Sequence, residues 1–63
     1  MENFNVGDKV IVLPNPIIRF DLHNQHGVVT YWYPDGAYEV LINGARYVFL
    51  WRELKKDPES QQE

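Results

Sequence analysis

The chain has 63 residues, 44% of them apolar, and a formal net charge of −3. That length fits one domain with one small core, in which burial barely exceeds the entropy of ordering the chain. Cysteine is absent, which excludes disulfide or thiolate-metal staples, and the acidic balance opposes a phosphate-rich partner.

Val6-Gly7-Asp8 suits a tight turn leading into a first strand, Lys9 to Leu13. Pro14 and Pro16 end that strand, because neither carries the N–H a ladder needs. Residues 14–26 then form a long loop with hydrophobes of its own: Ile17, Ile18, Phe20 and Leu22. Ile18 and Phe20 are expected to fold back as a lid over the open end of the core, since long loops inside small domains rarely stay idle.

The second strand, Gly27 to Tyr33, is rich in β-branched and aromatic residues and stops at Pro34-Asp35-Gly36. There proline presets φ, and glycine takes the left-handed position of a type I turn with a G1 bulge. Ala37 to Ile42 forms the third strand and stops at Asn43-Gly44, two residues whose position between apolar runs favours a type I′ turn. Ala45 to Leu50 is the fourth. A short 3₁₀ turn over Trp51-Arg52-Glu53-Leu54 leads to a last brief strand, Leu54 to Lys56. From Asp57 onward no apolar residue remains, so residues 1–56 are read as the domain and 57–63 as a disordered polar tail. The expected fold is all-β, a small five-stranded barrel.

Alternation puts Tyr38, Val40 and Ile42 on the inward face of the third strand. It leaves the fourth strand undecided between Tyr47 with Phe49 and Arg46 with Val48 and Leu50. In the second strand Val29 points inward, but a bulge would send either Trp32 or the pair Tyr31 and Tyr33 outward. Phe20, Tyr38 and Phe49 are expected to be buried.

Little in the sequence points to catalysis. The single serine, Ser60, lies in the tail and the single threonine, Thr30, lies mid-strand, so no hydroxyl nucleophile meets a histidine in a plausible turn. Asp21-x-His23-x-x-His26 has metal-ligand residue types, but a loop without a fourth ligand makes a weak site, and no metal or other cofactor is assigned. The aromatics are the better clue. Two Trp, four Tyr and three Phe exceed what one small core can hide. The surplus, Tyr31, Trp32, Tyr33, Tyr47 and Trp51, forms a candidate binding surface with Arg46 and Arg52 as polar partners. The plainer alternative is tyrosines whose hydroxyls reach water at the rim of the core. The polar first residues lack the basic start and apolar run of a signal peptide, and the longest apolar stretch is too short to span a bilayer, so a cytoplasmic protein is expected.

Several motifs resemble those of SH3-like small barrels. Phe4-Asn5-Val6-Gly7-Asp8-Lys9-Val10 is similar to their Gly-Asp-x-Val opening, and Gly27-Val28-Val29 to their Gly-x-Val second strand. Pro34-Asp35-Gly36-Ala37-Tyr38-Glu39-Val40 resembles the turn and third strand of KOW- and Tudor-type modules, and Glu53-Leu54 their closing Glu-Leu. The stretch from Tyr33 to Val40 resembles one in short uncharacterised bacterial and phage proteins. Gly7-Asp8-x-Val10 with Arg19 and Gly27-Val28-Val29 is similar to the barrel domain of nitrile hydratase β subunits. Lys9 to Leu13, followed by an aromatic loop and Gly-x-Val, resembles the small barrel subunits of photosystem I and ferredoxin:thioredoxin reductase. The resemblance implies a non-enzymatic protein-binding or regulatory module, such as an accessory subunit or inhibitor of a larger assembly. It also implies two alternatives: an RNA-associated KOW-like module, or an accessory barrel of a metalloenzyme or redox complex. A basic stripe joining Arg19, Arg46, Arg52, Lys55 and Lys56 would favour RNA, and scattered charges a protein partner.

Overall fold

The structure, a computed structural model, describes residues 3–58. Five strands, β1 (Lys9–Val12), β2 (His26–Trp32), β3 (Ala37–Ile42), β4 (Ala45–Leu50) and β5 (Leu54–Lys56), form one antiparallel sheet in the order β4-β3-β2-β1-β5. Consecutive strands β4 and β5 thus occupy opposite edges, joined only by a 3₁₀ turn at Trp51–Glu53. Laid flat, the four gaps between these strands would span roughly 19 Å. The chain from Leu50 to Leu54 reaches about 14 Å at most. The sheet must therefore curl, and the protein is a small barrel-like β fold.

Inside the curl lie Phe4, Val10, Val12, Leu22, Val29, Tyr38, Val40, Ile42, Phe49 and Leu54. The expected inward face of β3 is the observed one, and Phe49 with half-buried Tyr47 settles the inward side of β4. Tyr38 keeps its hydroxyl satisfied at depth: Oη accepts the Phe4 N–H at 3.2 Å while the two rings meet edge to face at 5.2 Å. Both hairpin turns take the expected geometry. Gly36 has φ of 94° and its N–H donates to the Tyr33 carbonyl, while Asn43 and Gly44 have φ of 50° and 85°.

The ambiguity in β2 is resolved by a bulge at Thr30. Val29 pairs with Val40, but the next partner pair is Tyr31 with Glu39, so the register slips by one residue. Without the slip Tyr31 would oppose inward-facing Tyr38; with it, Trp32 does. Thr30 bonds across the irregularity, its Oγ1 donating to Glu39 Oε1 at 2.8 Å. Tyr31 is turned to the outer face, and Trp32, the last residue of β2, is also exposed.

The long loop corrects one expectation. Phe20 is 87% exposed, not a lid. A 3₁₀ turn at Phe20–Leu22 rotates Leu22 into the core instead, with Ile18 packed beside it. At three residues per turn Phe20 and Leu22, two apart, point in different directions, so burying Leu22 leaves Phe20 outside. His23 pins the loop, with Nε2 at 3.0 Å from both the Asn15 and Ile18 carbonyl oxygens.

A second correction concerns Asp57, placed at the head of the tail because no apolar residue follows it. It is 5% exposed, its N–H donates to the Lys9 carbonyl at 2.9 Å, and its carboxylate meets His26. A polar residue is buried here because the β1–β5 ladder runs one residue further and supplies partners. Pro58 is exposed, and the remainder of the expected tail, residues 59–63, lies outside the described residues.

Candidate functional site

The bulge and the Pro34-Asp35-Gly36 turn together build the most distinctive surface of the molecule. Trp32, 52% exposed, stands as a ridge between two shallow clefts. One, of about 270 Å³, is lined by Asn3, Pro34, Asp35, Gly36, Tyr38, Trp32 and Trp51. The other, of about 420 Å³, runs along Asn3 to Val6 and shares Trp32 and Tyr38. Their size suits individual side chains of a partner more than a large cofactor.

Trp51 forms the far wall of the smaller cleft and is held there firmly. Its N–H donates to the Gly36 carbonyl at 2.8 Å, and a Cβ placed on Gly36 would lie 3.2 Å from its Cδ1. Glycine at this turn therefore serves the indole as well as the backbone. Glu53 fixes the start of the 3₁₀ turn from below: buried, it accepts the Leu50 N–H at 2.8 Å through Oε1. The wall is tied to the turn, and the ridge is open to solvent.

The other expected binding residues do not join this site. Tyr31 and Tyr33 pair edge to face at 4.9 Å on the outer face of the sheet, the face that carries Glu39 on β3. Arg46 lies on that same outer side, opposite Leu41. Tyr47 faces the opposite way, toward the long loop, where the Arg19 guanidinium sits 5.9 Å from its ring centroid. Arg52 is exposed on the 3₁₀ turn. Seven expected residues thus divide among separate faces, with Trp32 and Trp51 brought together. Asn3 and Asp35 belong to the cleft but were missed. Asp35 was legible as a turn residue, while nothing in the sequence signals that residue 3 returns to the β2–β3 turn.

Two of the six basic residues lie beside carboxylates. Arg19 donates to Asp21 from both Nε and Nη2, at 3.1 and 2.6 Å, and Lys56 lies 3.9 Å from Asp8. That hydrogen bond and the charge of Asp21 hold the Arg19 pKa above its usual value, and the Arg19 bond holds the Asp21 carboxyl below its own. Arg46 lies near the start of β4 and Arg52 beyond its end, and the strand from Arg46 to Leu50 alone spans roughly 13 Å. The residues of the Asp-x-His-x-x-His motif are also drawn apart: Asp21 to Arg19, His23 to loop carbonyls, His26 to Asp57. Among the described residues no group of three acidic, histidine or cysteine side chains is placed to hold a metal ion. Nor is any helix among them long and apolar enough to cross a membrane.

Comparisons with family models, with curated proteins and with solved structures find no match to this chain. The likeness to SH3-like barrels rests on Gly7-Asp8-x-Val10, Gly27-Val28-Val29, Pro34 to Val40 and Glu53-Leu54.

Proposed function

We propose that this chain is a non-enzymatic protein-binding module, a small accessory subunit or regulator, whose recognition surface is the Trp32 ridge with its two flanking clefts. One observation carries the reading: a tryptophan stands half-exposed between two clefts that share buried Tyr38, the smaller of them walled by Trp51 packed on the core. A rigid aromatic in such a position offers a partner large contact area at little cost in rotamer entropy. The groups with catalytic potential are already engaged, Thr30 with Glu39 and His26 with Asp57, which favours binding over chemistry.

A protein partner is preferred to nucleic acid because the cleft carries Asp35, two of the six basic residues lie beside carboxylates, and the net charge is −3. Nucleic-acid affinity needs a continuous run of phosphate-neutralising charge. Selecting displayed random peptides on the immobilised full chain tests the reading. Selected peptides should bind wild type at least about tenfold more tightly than Trp32→Ala, a loss above about 1 kcal/mol. Equal binding by the two proteins would sink the proposed surface. Micromolar RNA binding with a steep salt dependence would replace the reading with the KOW-like one.

A further inference from the structure

The two edges of the sheet differ in how they are protected. The β5 edge is three residues long and carries Lys55 and Lys56, two devices that discourage strand addition. The β4 edge is six residues long, with neither lysine nor proline and a single charge, Arg46. Its inward residues, Tyr47 and Phe49, are uncharged.

The direction of the β4 backbone groups follows from the register. Every β3–β4 pair continues the series that runs from Ile42–Ala45 to Ala37–Leu50, and the next pair, Gly36–Trp51, is hydrogen-bonded through the Trp51 N–H. Antiparallel ladders alternate, so Phe49, Tyr47 and Ala45 also bond to β3, while Leu50, Val48 and Arg46 turn their N–H and C=O groups away from it. The Leu50 N–H agrees: it points outward to the Glu53 carboxylate. Among the described residues, no loop or neighbouring strand supplies a backbone partner to Arg46 or Val48 on that outer side. Beside this edge runs a groove of about 280 Å³ between β4 and the long loop, where Ile17 is 82% exposed and Val48 57% exposed.

We infer that β4 pairs antiparallel with β4 of a second copy of this chain, about a two-fold axis at Tyr47. Occupation of the Leu50 N–H and the charge of Arg46 together select the register, since a pairing centred on Arg46 would set that cation against its own copy. A pairing centred on Val48 would need that N–H, whereas one centred on Tyr47 uses only Arg46 and Val48, each exchanging N–H···O bonds with the other in the second copy. The same register sets Arg46 beside Val48 of the second copy, whose other cross-strand neighbour is Glu39, so opposite charges fall in line across the joined outer faces. The exposed apolar rim at Ile17 and Val48 is covered in the same step. This surface is separate from the Trp32 clefts and leaves them open.

Sedimentation velocity and amide hydrogen exchange on the full chain test the pairing. A concentration-dependent dimer is expected, with the Arg46 and Val48 amides exchanging more slowly as it forms. Val48→Pro removes one outward N–H without touching the β3 ladder, a substitution edge strands tolerate. It should stay folded by circular dichroism and be monomeric throughout. If Val48→Pro does not fold, Val48→Lys keeps the N–H and should weaken the dimer at least about tenfold by placing a charge at the seam. A wild-type chain that is monomeric up to about 1 mM overturns the inference. So does a dimer that survives in folded Val48→Pro, or one that Val48→Lys leaves at wild-type affinity. Protection of the β4 amides only on adding a synthetic extended peptide would overturn it in favour of a foreign strand.

Discussion

Nδ1 of His26 lies 2.9 Å from Oδ2 of Asp57, tying the first residue of β2 to the chain just beyond β5. The two strands are not neighbours in the sheet; β1 separates them. The contact therefore braces three strands from one side. Asp57 is buried and His26 is largely exposed, so the carboxylate is the partner that depends on its hydrogen bonds.

Asp57→Ala should destabilise the domain by about 1–3 kcal/mol, the range for losing a buried hydrogen-bonded polar group. His26→Ala should cost less, and the double variant should cost less than the sum, because both single changes remove the same contact. Urea denaturation of the three variants measures this. Strict additivity would show that the two residues act independently.

A tighter constraint sits one residue along from His26. A Cβ on Gly27 would lie 2.5 Å from Cγ1 of Val40 and 2.8 Å from the Leu41 carbonyl oxygen. The second of these is backbone, so β2 and β3 would have to part. Gly27→Ala is expected to cost about 1–3 kcal/mol, as overpacking does elsewhere. In a domain this small each kcal/mol lowers the melting temperature by roughly 4–8 °C. An unchanged melting curve would mean that the strands are farther apart than described.

Much of this fold was legible because its signals are local. The ranges of β3, β4 and β5 follow from apolar runs cut by Pro34-Asp35-Gly36, Asn43-Gly44 and the Trp51 turn. What the sequence hid depends on contacts between distant segments. Phe20 and Leu22 are both large and apolar, and only the 3₁₀ geometry of the loop decides which of them is buried. Asp57 looks like tail until the β1–β5 register supplies its partners. For the site, composition revealed the surplus of aromatics. Its distribution over faces turns on the slip at Thr30, a residue with no turn or bulge signal of its own.

Asp21 supplies the pH prediction. Its pKa is lowered, chiefly by the hydrogen bond from Arg19, so the pair's contribution is present above the unfolded carboxylate value and is lost as pH falls through the lower folded one. The pair is solvent-exposed, so its effect on stability should be slight and shrink with salt. Side-chain NMR titration should find Asp21 below the ordinary aspartate range in wild type and returned to it in Arg19→Gln. An Asp21 that titrates identically in both proteins would show that the bidentate geometry is not kept in solution.

The two tryptophans should separate stability from recognition. Trp51 is packed against the core and against Gly36, so Trp51→Ala is expected to cost about 2 kcal/mol or more. Trp32 opposes Tyr38 across the β2–β3 ladder but leaves half of its surface in solvent, so Trp32→Ala should cost about 1 kcal/mol or less. A change at Trp51 would thus lower partner binding partly by unfolding the module. A change at Trp32 removes the ridge from a domain that is still folded. Thermal melts followed by binding of a selected peptide distinguish the two effects. If Trp32→Ala proves the more damaging to stability, the indole is a structural element and the recognition surface must lie elsewhere.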